Sequence, residues 1–105
     1  MGQVVHAQTF TIDVVDYDDL HVLTLHGELD LVSVAELTGV FDQVVRSSVV
    51  VDLSRLQFID AAGIGALVAA GKRIRDRGDT LQLANASEAT RRVFRLCGCE
   101  DLLAD

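Results

Sequence analysis

Residues 49–53 form a short apolar run, Val-Val-Val-Asp-Leu, near the middle of the chain. A β-branched run of this kind predicts a central strand that is buried on both faces, in a sheet covered by helices. Asp60 stands where it can accept hydrogen bonds from the first turn of a following helix. Apolar residues recur there at helical spacing, at Ile64, Leu67, Val68, Gly71 and Ile74. We therefore expect strand, turn and helix to form one unit, with the turn as its functional part.

Alternating polar and apolar positions before this unit predict two strands, residues 9–14 and 21–26. Turn residues between the two strands predict a hairpin, and Gly27 is expected to end the second strand. A helix follows, with Ser33 and Glu36 spaced as a capping box. Its apolar positions share one face: Val34, Leu37, Phe41 and Val44 or Val45.

After the second helix, which Gly78 ends, residues 80–84 form a further predicted strand. A third helix follows, capped by Asn85 or Ser87 and ended by Gly98. Its inward residues are predicted to be Ala89, Val93, Leu96 and Cys97.

The order of these elements, β-β-α-β-α-β-α, predicts an α/β fold. We expect a mixed sheet of about four or five strands, with helices mainly on one face. Leu102 and Leu103 are expected to add a short last strand or turn. Because 105 residues are enough for one hydrophobic core, we predict a single domain over residues 1–105, with its core at about residues 9–103.

The composition limits the classes of partner. No window approaches the ~20 continuous apolar residues of a membrane span, and the N-terminus lacks the pattern of a signal peptide. We therefore expect a cytoplasmic protein without membrane insertion. The net charge of −7 disfavours nucleic acid as a partner. Residues 1–45 carry eight acidic residues and no Lys or Arg, which could steer a basic protein partner or simply keep a small protein in solution.

Side chains able to do chemistry do not form a recognised catalytic motif. His21 and His26 lie five residues apart on a predicted strand, hence on opposite faces, so they cannot form a metal pair. Cys97 and Cys99 stand too close for an easy disulfide and offer too few ligands for zinc. We expect reduced thiols, with redox sensing as the alternative. The expectation is a protein that is not an enzyme and has no cofactor or metal.

Four segments, in their order and spacing, together resemble the STAS domain, and within it the single-domain anti-sigma factor antagonists, over residues 9–103. The segments are residues 27–30, 51–54 and 58–65 and the helix end at 91–98. In that family an antagonist binds an anti-sigma factor that has a histidine-kinase-like ATP site, and thereby frees the sigma factor. The same partner phosphorylates a hydroxyl in the turn, and the phosphorylated antagonist lets go.

The chain departs from this pattern at the turn. The family reads Asp, Ser or Thr, Ser or Thr, Gly, whereas Ala61 stands here at the phosphoacceptor position and Ala62 replaces the next hydroxyl. A methyl group cannot accept a phosphoryl group, so the resemblance implies an antagonist that is never phosphorylated at that site. Three explanations stay open. The first is a natural variant controlled by abundance, by the Cys97 and Cys99 thiols or by another hydroxyl such as Ser33 or Ser54; the others are an engineered phospho-null form and a branch without phosphorylation.

The resemblance also implies a partner-binding surface. Its expected residues are Gly27, Glu28, Leu29, Asp30, Ser33, Asp60, Ala61, Ala62, Gly63, Ile64 and Gly65. Asp60 can equally be interpreted as a helix cap with no binding role. Residues 27–30 can equally be interpreted as the end of a strand and the start of a helix. From another class, the alternative function is a STAS accessory subunit of an ABC-type lipid transport complex. A sensor of a small molecule is a third, weaker hypothesis, and the oligomeric state is not predicted.

Overall fold

The computed structural model describes residues 10–44 and 47–104. In chain order its elements are β1 Phe10–Asp16, β2 Leu20–Leu29, α1 Val34–Gln43, β3 Ser48–Asp52, β4 Leu56–Ile59, α2 Ala61–Asp76, β5 Leu81–Ala84, α3 Glu88–Leu96 and a 3₁₀ helix Glu100–Leu102. The α/β fold with a mixed sheet is confirmed, and the described residues hold five strands and three α-helices. The strand β4 was not expected. Thr9 and Val45, which belong to predicted elements, lie outside the described residues.

The sheet is ordered β1-β2-β3-β5, and β4 pairs with β2. β1 and β2 form the predicted antiparallel hairpin, whereas β2 pairs in parallel with β3 and, farther along, with β4. Gly27 faces Phe10 of β1 on one side and Leu56 of β4 on the other, so β4 continues the line of β3. Leu103 forms a parallel bridge with Leu83 of β5, as the expected short last strand.

One face of the sheet carries the core. Leu23 and Leu25 of β2 and Val49 and Val51 of β3 are buried, whereas Val50 between them is only half-buried. The prediction that the central strand is buried on both faces is therefore wrong. Successive residues of a strand point to opposite faces, and here the second face is left partly open.

Gly27 does not end the second strand, which continues to Leu29. Its φ of +91° is a backbone angle that glycine adopts readily and other residues rarely do. The pairing with β4 shifts register between Gly27 and Glu28. A glycine inside a strand often marks such a bulge. After the bulge, Glu28 and Leu29 pair with Phe58 and Ile59, which carries β2 to the end of β4.

The helices begin and end largely where the local signals predict. Asp60 and Ser87 cap α2 and α3 through their side chains, and Gly78 and Gly98 follow the ends of these helices with positive φ. Ser33 precedes α1 without a side-chain cap bond, so the predicted capping box is wrong. No helix in the described part of the chain is long and apolar enough to cross a membrane.

Two predicted helix faces are corrected. Val68 of α2 is 38% exposed, and Ala70 is buried in its place. In α3, Phe94 is fully buried and Thr90 nearly so, and Val93 is half-buried. The exposed residues of α3 and its cap include three that were expected to be inward: Ala89, Leu96 and Cys97. The bulky ring of Phe94 sets the buried face, which lies about one residue from the expected one.

Candidate functional site

The two predicted segments of the site meet at the edge of the sheet where β2 and β4 end. These strands are parallel neighbours, so Asp30 and Asp60 leave the sheet on the same side. The backbone N–H of Asp60 donates to the carbonyl of Leu29, with 3.3 Å between N and O. This bond joins the loop before α1 to the start of α2.

Gly63 sets how closely α2 approaches the strands. A Cβ atom on Gly63 would lie 2.7 Å from the carbonyl oxygen of Leu29 and 2.9 Å from Cγ1 of Ile59. Both distances are shorter than a carbon atom tolerates, and the first involves backbone that cannot rotate away. A Cβ on Gly65, by contrast, would meet nothing within 4 Å. Gly63 is therefore required for packing. Gly65 is exposed, and its lack of a side chain leaves the helix backbone accessible to a partner.

The start of α2 presents small residues. Asp60 is its N-cap, and Oδ1 accepts a hydrogen bond from the backbone N–H of Gly63 at 3.0 Å. Ala61 is the first residue of the helix and is exposed, and Ala62 is half-buried. The backbone N–H groups of a first helical turn have no partner within the helix, so this end is polar in spite of its methyl side chains.

The loop before α1 is held by a compact hydrogen-bond network. Oδ1 of Asp30 accepts from the backbone N–H groups of Val32 and Ser33, each at 3.0 Å. The Ser33 hydroxyl accepts from the N–H of Asp30 at 2.9 Å and donates to the carbonyl of Glu28 at 2.8 Å. Ser33 is only 5% exposed. Its hydroxyl is thus a structural group rather than an accessible one.

The same network affects ionisation. The backbone N–H of Ser33 lowers the pKa of the Asp30 carboxyl below its ordinary value, although burial works in the opposite direction. The Ser33 hydroxyl and the N–H of Val32 lower this pKa further. Hydrogen bonds of this kind favour the charged form of a carboxyl group, so the loop carries a carboxylate at neutral pH.

The predicted site residues fall into a supporting layer and an outer layer. Leu29, Gly63 and Ile64 are buried and hold the surface from beneath. The half-buried residues are Gly27, Glu28, Asp30, Asp60 and Ala62, and the exposed ones are Ala61 and Gly65. The sequence reasoning missed two neighbours, Leu31 and Val32, which are 77% and 87% exposed. The available signal was two adjacent apolar residues between a turn-forming aspartate and the helix.

The other candidate side chains lie apart from this edge. His21 contacts Asp16, and Nε2 of His26 lies 2.8 Å from Oδ2 of Asp13, so each histidine joins β2 to β1. Cys97 and Cys99 are free thiols, the first exposed and the second half-buried. Within residues 10–44 and 47–104, no group of three or more His, Cys, Asp or Glu is arranged to hold a metal ion.

Known proteins resemble the chain over most of its length. A family model described as "Mlab, STAS domain" matches residues 12–104. The anti-sigma-B factor antagonist of Staphylococcus epidermidis is 30% identical over 95 residues, which are 88% of this chain and 88% of that protein. The anti-sigma-F factor antagonist RsfB of Mycobacterium tuberculosis is 30% identical over 95 residues, 88% of this chain and 77% of that protein.

A solved structure agrees with this similarity. The crystal structure of an anti-sigma factor antagonist from Mycobacterium paratuberculosis superposes with a TM-score of 0.79 and 26% identity. The match covers 95% of this chain and 88% of the other.

Proposed function

The chain belongs to the STAS domain family, and from this premise we propose that it is an anti-sigma factor antagonist. It binds an anti-sigma factor in the cytoplasm and thereby releases a sigma factor, without being an enzyme. The observation that carries this proposal is the match, at 30% identity over 88% of the chain, to anti-sigma factor antagonists from two organisms. A role as a lipid-transport subunit is not favoured, because these relatives are named as antagonists.

The proposed docking surface is the edge where β2 and β4 end. The bond from Asp60 to Leu29 and the close packing of Gly63 hold the loop and the helix start in one fixed arrangement. A surface fixed before binding loses little conformational freedom on association. The proposed partner is an anti-sigma factor with a histidine-kinase-like ATPase fold, which is the partner that the family resemblance implies.

We also propose that position 61 is a phosphoacceptor position that has lost its hydroxyl. Ala61 is exposed at the first position of α2, where a side chain is open to a kinase. A helix N-terminus accommodates phosphate well, so the family switch must act at the interface. About −2 charge there would face partner groups arranged for a neutral side chain. With a methyl group in place, binding to the partner continues without this control.

The test measures binding to purified histidine-kinase-like anti-sigma factors of the source organism by isothermal titration calorimetry. The wild-type protein should bind one of them and release sigma factor from its complex. Ala61→Glu should weaken that binding at least about tenfold, the change that 1.4 kcal/mol produces, without unfolding the protein, because a carboxylate is stabilising at a helix N-terminus. Ala69→Glu is the matched control, an exposed alanine of the same helix about two turns away. Binding to none of these proteins would refute the proposed function.

The lost hydroxyl has a separate test. Ala61→Ser should gain phosphate from ATP in the presence of the bound anti-sigma factor, whereas the wild-type protein should gain none at residues 60–65. Peptide mass spectrometry locates the phosphate. An unlabelled Ala61→Ser protein that still binds would contradict the assignment of position 61.

A further inference from the structure

Leu31 and Val32 form an exposed pair, which we call the apolar tip, beside the proposed docking surface. At 77% and 87%, they have the largest exposed fractions among the large apolar side chains of the described residues. The two side chains follow directly after Asp30, at the edge where β2 ends. They follow residues 27–30, one of the four segments that carry the family resemblance.

The apolar tip is presented on fixed backbone. The N–H of Val32 donates to Oδ1 of Asp30 at 3.0 Å, and Ser33 is anchored to both Asp30 and Glu28. The chain on each side of the tip is therefore held by hydrogen bonds. Apolar side chains on such a support bind a partner at a smaller entropic cost than those of a mobile loop.

The surroundings of the tip are acidic. Glu28 and Asp30 precede it in the chain, and Asp60 lies across the adjoining strand ends. Residues 1–45 contain no Lys or Arg, so the segment that carries the tip supplies no cation to balance these carboxylates. A partner that fits this surface has an apolar pocket bordered by Lys or Arg side chains.

We propose that the apolar tip anchors the anti-sigma factor, by filling an apolar pocket whose rim is cationic. This inference rests on the proposed function, and it adds the residues that supply much of the binding affinity. The buried centre of an interface supplies most of its affinity, whereas charged rims act mainly on orientation and association rate. The tip carries the most exposed large apolar side chains of this surface, so it has the most apolar area per side chain to bury.

The experiment uses the full chain and the anti-sigma factor that the wild-type protein binds. Leu31→Ser and Val32→Ser should each raise the Kd about tenfold, which corresponds to 1.4 kcal/mol, and the double variant should raise it further. Leu96→Ser is the matched control, because Leu96 is 76% exposed and ends α3, which contributes nothing to the tip. Its Kd should equal that of the wild-type protein. Thermal unfolding checks that all variants are folded.

The outcomes separate this inference from the proposed function. If Ala61→Glu weakens binding but the double tip variant does not, the role of the tip is refuted and the proposed function stands. If the wild-type protein binds no anti-sigma factor, both fail, and the first titration already shows it. Equal losses of binding affinity in Leu96→Ser and in the tip variants would also overturn the inference. So would a self-association of the protein that the double variant abolishes, since the tip would then bind a second copy.

Salt gives a further readout. If the pocket has a cationic rim, added NaCl should raise the Kd of the wild-type protein, because salt screens attraction between exposed charges. The same dependence should persist in the double tip variant, whose carboxylates are unchanged. A Kd that does not change with salt would refute the cationic rim.

Discussion

The β2–α1 and β4–α2 junctions lie side by side, and each begins with an aspartate that acts differently. Asp60 accepts a hydrogen bond from the first turn of α2, so that helix starts directly after the cap. Asp30 instead folds the loop, and α1 starts only at Val34, without a side-chain cap bond. The β4–α2 junction is a helix start, and the β2–α1 junction is a hydrogen-bonded loop.

The difference decides what each junction offers to a partner. At the helix start, Gly63 packs closely against Leu29 and Ile59, and the short side chain of Ala61 is exposed. In the loop, two aliphatic side chains, Leu31 and Val32, are exposed to solvent on backbone that hydrogen bonds hold in place. The stability of the fold should therefore be sensitive to added volume at the packed Gly63, and to the loss of polar groups in the loop.

The largest effect is expected from added volume beneath the helix start. Gly63→Ala should lower the free energy of unfolding by about 3 kcal/mol, because its Cβ would lie 2.7 Å from a backbone oxygen of Leu29. Gly65→Ala, the control on the same helix, should raise it by up to about 1 kcal/mol, since that site is open and alanine favours helix. Urea unfolding measures both. Similar effects of the two substitutions would mean that packing does not distinguish these glycines.

The loss of one polar group at each junction should separate them next. Ser33→Ala removes a buried hydroxyl and leaves the N–H of Asp30 and the carbonyl of Glu28 without this partner, which should cost about 2 kcal/mol. Asp60→Ala removes one cap bond and should cost about 1 kcal/mol. Urea unfolding of the two variants at pH 7 makes the comparison. A greater cost for Asp60→Ala would reverse the view that the loop depends more on its hydrogen bonds.

How much of this edge the sequence predicts depends on the range of each interaction. The cap at Asp60 and the helix stop before Gly98 depend on atoms within a few residues, and both were predicted correctly. The hydroxyl of Ser33 bonds a carbonyl five residues back. Glu28 lies directly after the bulge at Gly27, and no local pattern indicates this contact. The capping box was therefore predicted wrongly.

The strand β4 and the face of α3 were missed because other elements determine them. β4 buries only Leu56 and Ile59 of its four residues and leaves Phe58 half exposed, so it shows neither alternation nor a continuous apolar run. In α3, polar Thr90 is buried and makes a hydrogen bond to the Ser87 side chain. Spacing of apolar residues alone cannot predict a buried threonine. The binding role of the site residues remains a prediction that the experiments above test.

The smallest expected effect concerns the charge of the loop. Hydrogen bonds from Ser33 and Val32 lower the pKa of Asp30 in the folded protein, so its carboxylate stabilises the fold at neutral pH. That contribution is lost as the pH falls below the ordinary value of about 4 and through the lower folded value. Asp30→Asn should lack this part of the acid-induced loss, measured as the free energy of unfolding at pH 7 and at pH 3. Glu100 and Asp52 also have a lowered pKa, but both residues are present in the wild-type protein and in Asp30→Asn. The difference in pH dependence between these two proteins therefore isolates the contribution of Asp30. Equal pH dependence in the wild-type protein and in Asp30→Asn would mean that the ionised Asp30 carboxylate contributes nothing to the stability of the fold.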